Sequence, residues 1–160
     1  MNESIQSVAT VLIASSVLFL GRTAYAKMAN FDADHQLTEA DNPAVGTALF
    51  GFLAGLLAVI AALLGTDPLD LEQPNGALWD LGELLGYGLV AIVLLKVAGW
   101  CNDRFILHKF ENQKELIDDR NVGAGAVLGG SYIASGLILA GAFSGRFDDT
   151  LSEAADSRFD

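Results

Sequence analysis

Four apolar runs, each about 20 residues long, divide the chain: 8–26, 44–65, 81–101 and 122–143. A helix rises about 1.5 Å per residue, so about 20 residues cross a hydrocarbon core of roughly 30 Å. A core helix of a soluble domain keeps a polar face, which would interrupt such runs every few residues. Here only Arg22, Glu83 and Lys96 bring charge into them. The pattern predicts an all-α integral membrane protein with four transmembrane helices. Composition agrees, with 52% hydrophobic and 18% charged residues, where a soluble domain carries about 25% charged. One transmembrane domain over 1–145 is expected, followed by an acidic tail over 146–160.

The chain also reads as one unit written twice, over about 8–65 and about 81–143. Leu37 aligns with Leu116, Glu39 with Asp118, Asn42 with Asn121, Gly46 with Gly125, Leu49 with Leu128 and Gly51 with Gly130. Each copy has a polar approach ending in Asn, followed by an apolar run rich in small residues. Asn42 before Pro43 fits an N-cap followed by proline at the first helical position. The first N–H groups of a helix lack internal partners, and an Asn side chain accepts from one of them. Glu39 and Asp118 each lie three residues before the Asn (42 − 39 and 121 − 118). They are expected over the positive end of each helix dipole. Glu39, Asn42, Asp118 and Asn121 therefore form a candidate motif face. It is read first as capping, and second as a surface that attracts a cation or a basic partner segment.

Charge in the connections sets an expected orientation. Arg22, Lys27, Arg104, Lys109, Lys114 and Arg120 fall in the first and third connections. The second connection and the N-terminus hold no Lys or Arg, and the tail holds only Arg146 and Arg158. Lys and Arg mark the cytoplasmic side, so the motif loops are expected inside and both termini outside. The two units then share one orientation, related by an axis along the membrane normal.

Within lipid, close backbone approach at small residues supplies helix packing. Gly51 and Gly55, Gly82 and Gly86, and Gly125 and Gly129 have that spacing and are expected to pack helices. Trp79 and Trp100 bracket the third run, 21 residues and so about 31 Å apart. Such aromatics sit at the two interfaces. Lys96 and Glu83 lie near opposite ends of this run and are expected to snorkel to the headgroups, as is Arg22 at the end of the first. Ala24-Tyr25-Ala26 has the form of a leader-cleavage site, but the stretch before the first run carries no Lys or Arg. A retained first helix is expected. Phe105-Ile106-Leu107 and Phe110 fit a segment lying at the membrane surface. Cys101 is the sole cysteine, which excludes an internal disulfide. His35 and His108 stand apart in polar connections and are expected to be exposed.

The approach to each second helix carries a family resemblance. Glu39-Ala40-Asp41-Asn42-Pro43-Ala44-Val45-Gly46 and Asp118-Asp119-Arg120-Asn121-Val122-Gly123-Ala124-Gly125, with four spans and the internal duplication, resemble the YjfL-like family. These are small bacterial membrane proteins grouped as a domain of unknown function. The resemblance covers roughly 8–145, and the second copy departs from the pattern with Val122 where the first has Pro43. It implies the four-helix fold and a location in the bacterial inner membrane. It brings no established active site, only an association of members with membrane-stress systems.

Three functions compete. The first is a non-enzymatic membrane module that assembles with itself or with another membrane protein and supports envelope integrity. The second is an oligomeric ion or small-solute channel or transporter, since duplicated bundles are common among transporters. The third is an intramembrane enzyme, which no Ser/His, Cys/His or His/Glu spacing supports. The first is the expectation, with the lipid bilayer as surroundings and no catalytic residues, cofactor, metal or nucleic-acid partner.

Overall fold

A computed structural model describes residues 3–65, 76–102, 104 and 112–144. All regular structure among them is helical: α1 (Glu3–Met28), α2 (Ala33–Thr38), α3 (Pro43–Leu64), α4 (Gly76–Cys101), α5 (Asn112–Ile117) and α6 (Val122–Phe143). Four helices are long and apolar enough to cross a membrane, over Ser7–Met28, Pro43–Leu64, Leu81–Cys101 and Val122–Phe143. These match the four apolar runs to within a few residues. The short helices α2 and α5 lie in stretches where the sequence suggests only polar loop. Asp32 starts α2, its side chain accepting from the His35 N–H at 3.0 Å. The tail over 146–160, the surface segment over 105–110 with His108, and residues 66–75 of the second connection lie outside the described residues.

The contacts give each long helix a direction. Val17 of α1 meets Gly88 of α4 and Gly21 meets Ile92, so α1 and α4 run parallel. Gly125 of α6 lies on Ala44 of α3, Gly129 on Thr47 and Gly136 on Gly55, so α3 and α6 also run parallel. Gly21 meets Leu56 while Tyr25 meets Phe52, which sets α1 antiparallel to α3. Gly99 meets Tyr132 while Tyr87 meets Phe143, which sets α4 antiparallel to α6. The α3–α6 pair is the backbone of the bundle, with α1 and α4 laid beside it.

That central pair is held by close main-chain contact. A Cβ on Gly51 would overlap the backbone of Gly129, and one on Gly136 would overlap the backbone of Gly55. Neither obstacle is a side chain that can swing aside, so only glycine permits this spacing. Dispersion between the two backbones then replaces the hydrophobic drive that lipid does not provide. Around the seam, Val17, Ala48, Phe52, Leu56, Val59 and Leu95 are fully buried. The outer surface is the reverse of a soluble protein's. Val11, Leu12, Phe19, Phe50, Val93 and Ile138 are all exposed, as suits side chains whose surroundings are hydrocarbon.

Candidate functional site

Two clusters of polar chemistry stand out, one at the end of the bundle where α3 and α6 begin, and one inside it.

At the end, Asn42 caps α3. Its side-chain oxygen accepts from the N–H groups of Ala44 at 3.0 Å and Val45 at 3.5 Å. Its amide nitrogen donates to Gln36 Oε1 at 2.8 Å and to the Leu116 carbonyl at 2.8 Å. Asn121 caps α6 in the same manner, accepting from Gly123 at 2.9 Å and Ala124 at 3.4 Å and donating to Glu115 Oε2 at 2.8 Å. The turn before each cap is also shared. The Asn42 N–H donates to the Gln36 carbonyl at 2.9 Å, and the Asn121 N–H to the Glu115 carbonyl at 2.8 Å. Asp41 and Arg120, one residue before the caps, hold left-handed φ values of 48° and 47°. Every matched pair is separated by 79 residues (121 − 42, 115 − 36, 120 − 41). An Arg in that backbone region is disfavoured by its Cβ, so the turn at Arg120 is held by its surroundings rather than by local preference.

The two turns differ in depth. Asn42 is 2% exposed, because its amide crosses to the Leu116 carbonyl of the other turn. Asn121 is exposed, and among the described residues its side chain bonds only within its own turn. The structure thus brings the two motifs into contact through Asn42. The carboxylates sit elsewhere than expected. Glu39 ends α2 and pairs with His35 Nδ1 at 3.0 Å instead of lying over the start of α3. Asp118 is exposed in the turn after α5. Arg22 reaches Asp34 at 2.6 Å and ties α1 to α2.

Inside the bundle, Lys96 of α4 places its ammonium 4.7 Å from the Tyr25 ring centre and 5.9 Å from that of Phe52. Tyr25, Phe52 and Tyr132 form a cluster, with Phe52 and Tyr132 edge to face at 5.2 Å and Tyr25 and Phe52 at 5.4 Å. The expectation that Lys96 snorkels to the nearer interface is corrected by this geometry. Side chains on a helix tilt toward its N-terminus. Lys96 is near the C-terminal end of α4, so that tilt carries its ammonium away from the close interface. Glu83, near the N-terminal end of the same helix, is tilted toward its own interface and is exposed. Phe52 is nine residues along α3 and Tyr132 ten along α6, which puts the cluster about 14–15 Å deep, close to mid-span. An ammonium placed over aromatic faces is attracted by the negative side of each ring quadrupole.

The family model described as Domain of Unknown Function (DUF350) matches residues 1–143. The chain belongs to the DUF350 family. No curated protein and no solved structure matches it.

The small-residue pairs of this DUF350 chain divide sharply. Gly51, Gly55, Gly125 and Gly129 all meet backbone across the α3–α6 seam. Gly82 and Gly86 do not pack within the protomer, since a Cβ on either meets nothing within 4 Å. Among the described residues, no three His, Cys, Asp or Glu side chains come together where they could hold a metal. Gln36, Glu115 and the Leu116 carbonyl were missed by the sequence reading. The signal available for the first two was a polar side chain six residues before each capping Asn (42 − 36 and 121 − 115).

Proposed function

We propose that this DUF350 protein is a non-enzymatic module of the bacterial inner membrane that works by assembling with a second copy of itself, in support of envelope integrity. The filled interior carries this reading. Phe52, Leu56, Val59 and Leu95 are sealed between α1, α3, α4 and α6 at 0% exposure, so a conduit would have to lie between copies rather than through one. Function is then displayed on surfaces. The open face of α4 at Gly82 and Gly86 is where a second backbone can approach closely.

The reading includes two same-orientation units, α1–α3 and α4–α6, with the motif turns cytoplasmic and both termini outside. The parallel course of α1 with α4 and of α3 with α6, and the hydrogen bonds repeated 79 residues apart (121 − 42), support it. So does the gathering of Lys and Arg in the first and third connections.

Native mass spectrometry of the detergent-extracted chain tests the assembly. A dimer or higher oligomer is expected, shifting to monomer in Gly82→Leu/Gly86→Leu. A strict monomer before substitution, at all protein concentrations, would refute the proposal. An assembled ring with an open polar axis would replace it with the channel reading.

A further inference from the structure

Trp79, Glu83 and Tyr87 follow one another at four-residue steps near the start of α4, so they stand one above another on one side of the helix. Tyr87 packs on Phe143, the last residue of α6, with 5.4 Å between ring centres. Beyond that contact the line is open. Trp79 is 73% exposed and Glu83 is exposed. None of the hydrogen bonds, ion pairs and ring contacts among the described residues involves either. The neighbours of Glu83 on α4, Leu85, Leu89 and Val90, are exposed apolar side chains that face lipid. A carboxylate at the edge of hydrocarbon gains more from an opposite charge than one in water.

The sequence offers one nearby cation. No Lys or Arg occurs between Lys27 and Lys96, and both of those belong to the far halves of α1 and α4. Between Arg120 and Arg158 the single one is Arg146. It stands two residues past Ser144, which ends α6, and two residues reach about 7 Å at full extension. Glu83 lies one turn, about 6 Å, along α4 from Tyr87. Because α4 and α6 are antiparallel, the chain leaving Phe143 runs in the direction from Tyr87 to Trp79. The two series then match in order: Phe143, Arg146 and Phe147 against Tyr87, Glu83 and Trp79, aromatic, charge and aromatic, with opposite charges. We infer that the Trp79–Glu83 side of α4 is the seat of the chain's own segment 145–147, which lies outside the described residues, with Arg146 paired to Glu83 and Phe147 on Trp79. Seated there, the segment borders Gly82 and Gly86, the glycines that the assembly reading gives to a second copy. Resting on that reading, it is a strap across the edge of the assembly face.

Carbodiimide coupling of the full chain in detergent tests the seat. The reagent joins a carboxylate to an amine in contact with it, forming an amide with loss of one water. Arg146→Lys supplies the amine and keeps the charge. Peptide mass spectrometry of the single chain is expected to find Glu83 joined to the amine introduced at position 146. Adding Glu83→Gln to that chain should abolish the joined peptide. Native mass spectrometry reads the strap. At a concentration where half the wild-type chains are assembled, Arg146→Glu should raise the ratio of assembled to single chains about threefold, the weight of an exposed ion pair. Glu83→Arg combined with Arg146→Glu should return the ratio to its wild-type value. Absence of the Glu83 link, under conditions where other carboxylate–amine links form, overturns the seat. A link with no change in the ratio overturns the strap. If wild-type chains never assemble and the link still forms, the strap falls with the assembly reading while the seat stands.

Discussion

Replacing each capping asparagine by alanine should have very unequal effects, although the two residues occupy matching turns. Asn42→Ala removes two accepted and two donated hydrogen bonds at a site 2% exposed. Loss of the cap alone costs about 1 kcal/mol. The Leu116 carbonyl then loses its side-chain donor in a buried setting, which costs about 1–3 kcal/mol more. The total comes to about 3 kcal/mol. Asn121→Ala removes the same kind of cap, but in an exposed turn where water replaces the missing partners. About 1 kcal/mol is expected there. At about 2–4 °C per kcal/mol for a chain of this length, the two midpoints should differ by about 4–8 °C. Circular dichroism melts in one mild detergent measure this directly. Asn42→Asp adds a control. It keeps the acceptor for Ala44 and Val45 but exchanges the donor facing Leu116 for a negative oxygen, so it should behave like the alanine variant. Equal midpoints for Asn42→Ala and Asn121→Ala, or a lower one for Asn121→Ala, would show that the contact between the two turns contributes nothing.

Other perturbations separate further parts of the argument. Gly51→Ala and Gly136→Ala should each destabilise the protomer by about 1–3 kcal/mol, since their new methyl groups meet backbone, whereas Gly86→Ala should leave the melting temperature of the protomer unchanged. Arg22→Gln should cost less than 1 kcal/mol, because its partner Asp34 and Arg22 itself are well exposed; a larger loss in the same melts would mean the pair positions α2. Glu39→Gln and Asp118→Asn should leave stability nearly unaltered, and abolition of partner binding in a pull-down with stability intact would mark the motif face as the working surface. Reporters near Gln73 and after Asp160 should read outside and one near Gln113 inside; a reversed pattern would invert the proposed topology.

The long helices were legible because their signal is long. Twenty apolar residues in a row admit few interpretations, and an Asn before Pro43 marks a helix start by local chemistry alone. Six-residue helices such as α2 and α5 have no room for periodicity, so nothing distinguished them from polar loop. The glycine pairs show a different limit. Gly51–Gly55 and Gly82–Gly86 have identical spacing, yet one pair faces a neighbouring backbone and the other faces outward. Spacing specifies that residues share a side of their helix, but not what that side meets. Lys96 shows a related limit. Its distance from Trp100 was plain, and the direction of its side chain was settled by its place near the C-terminal end of α4.

The α3–α6 seam has a consequence for synthesis. Its two sides, Gly51–Gly55 and Gly129–Gly136, are translated roughly 80 residues apart (129 − 51 and 136 − 55). A nascent α1–α3 hairpin therefore enters the bilayer with its tightest packing surface uncovered, and stays so until α6 arrives. Nothing local completes it in the interval. A chain halted after α3 would be half of a lock, free to close on the α6 of any full-length neighbour. Shortened products of this protein would then act as competitors for intact copies rather than as inert fragments.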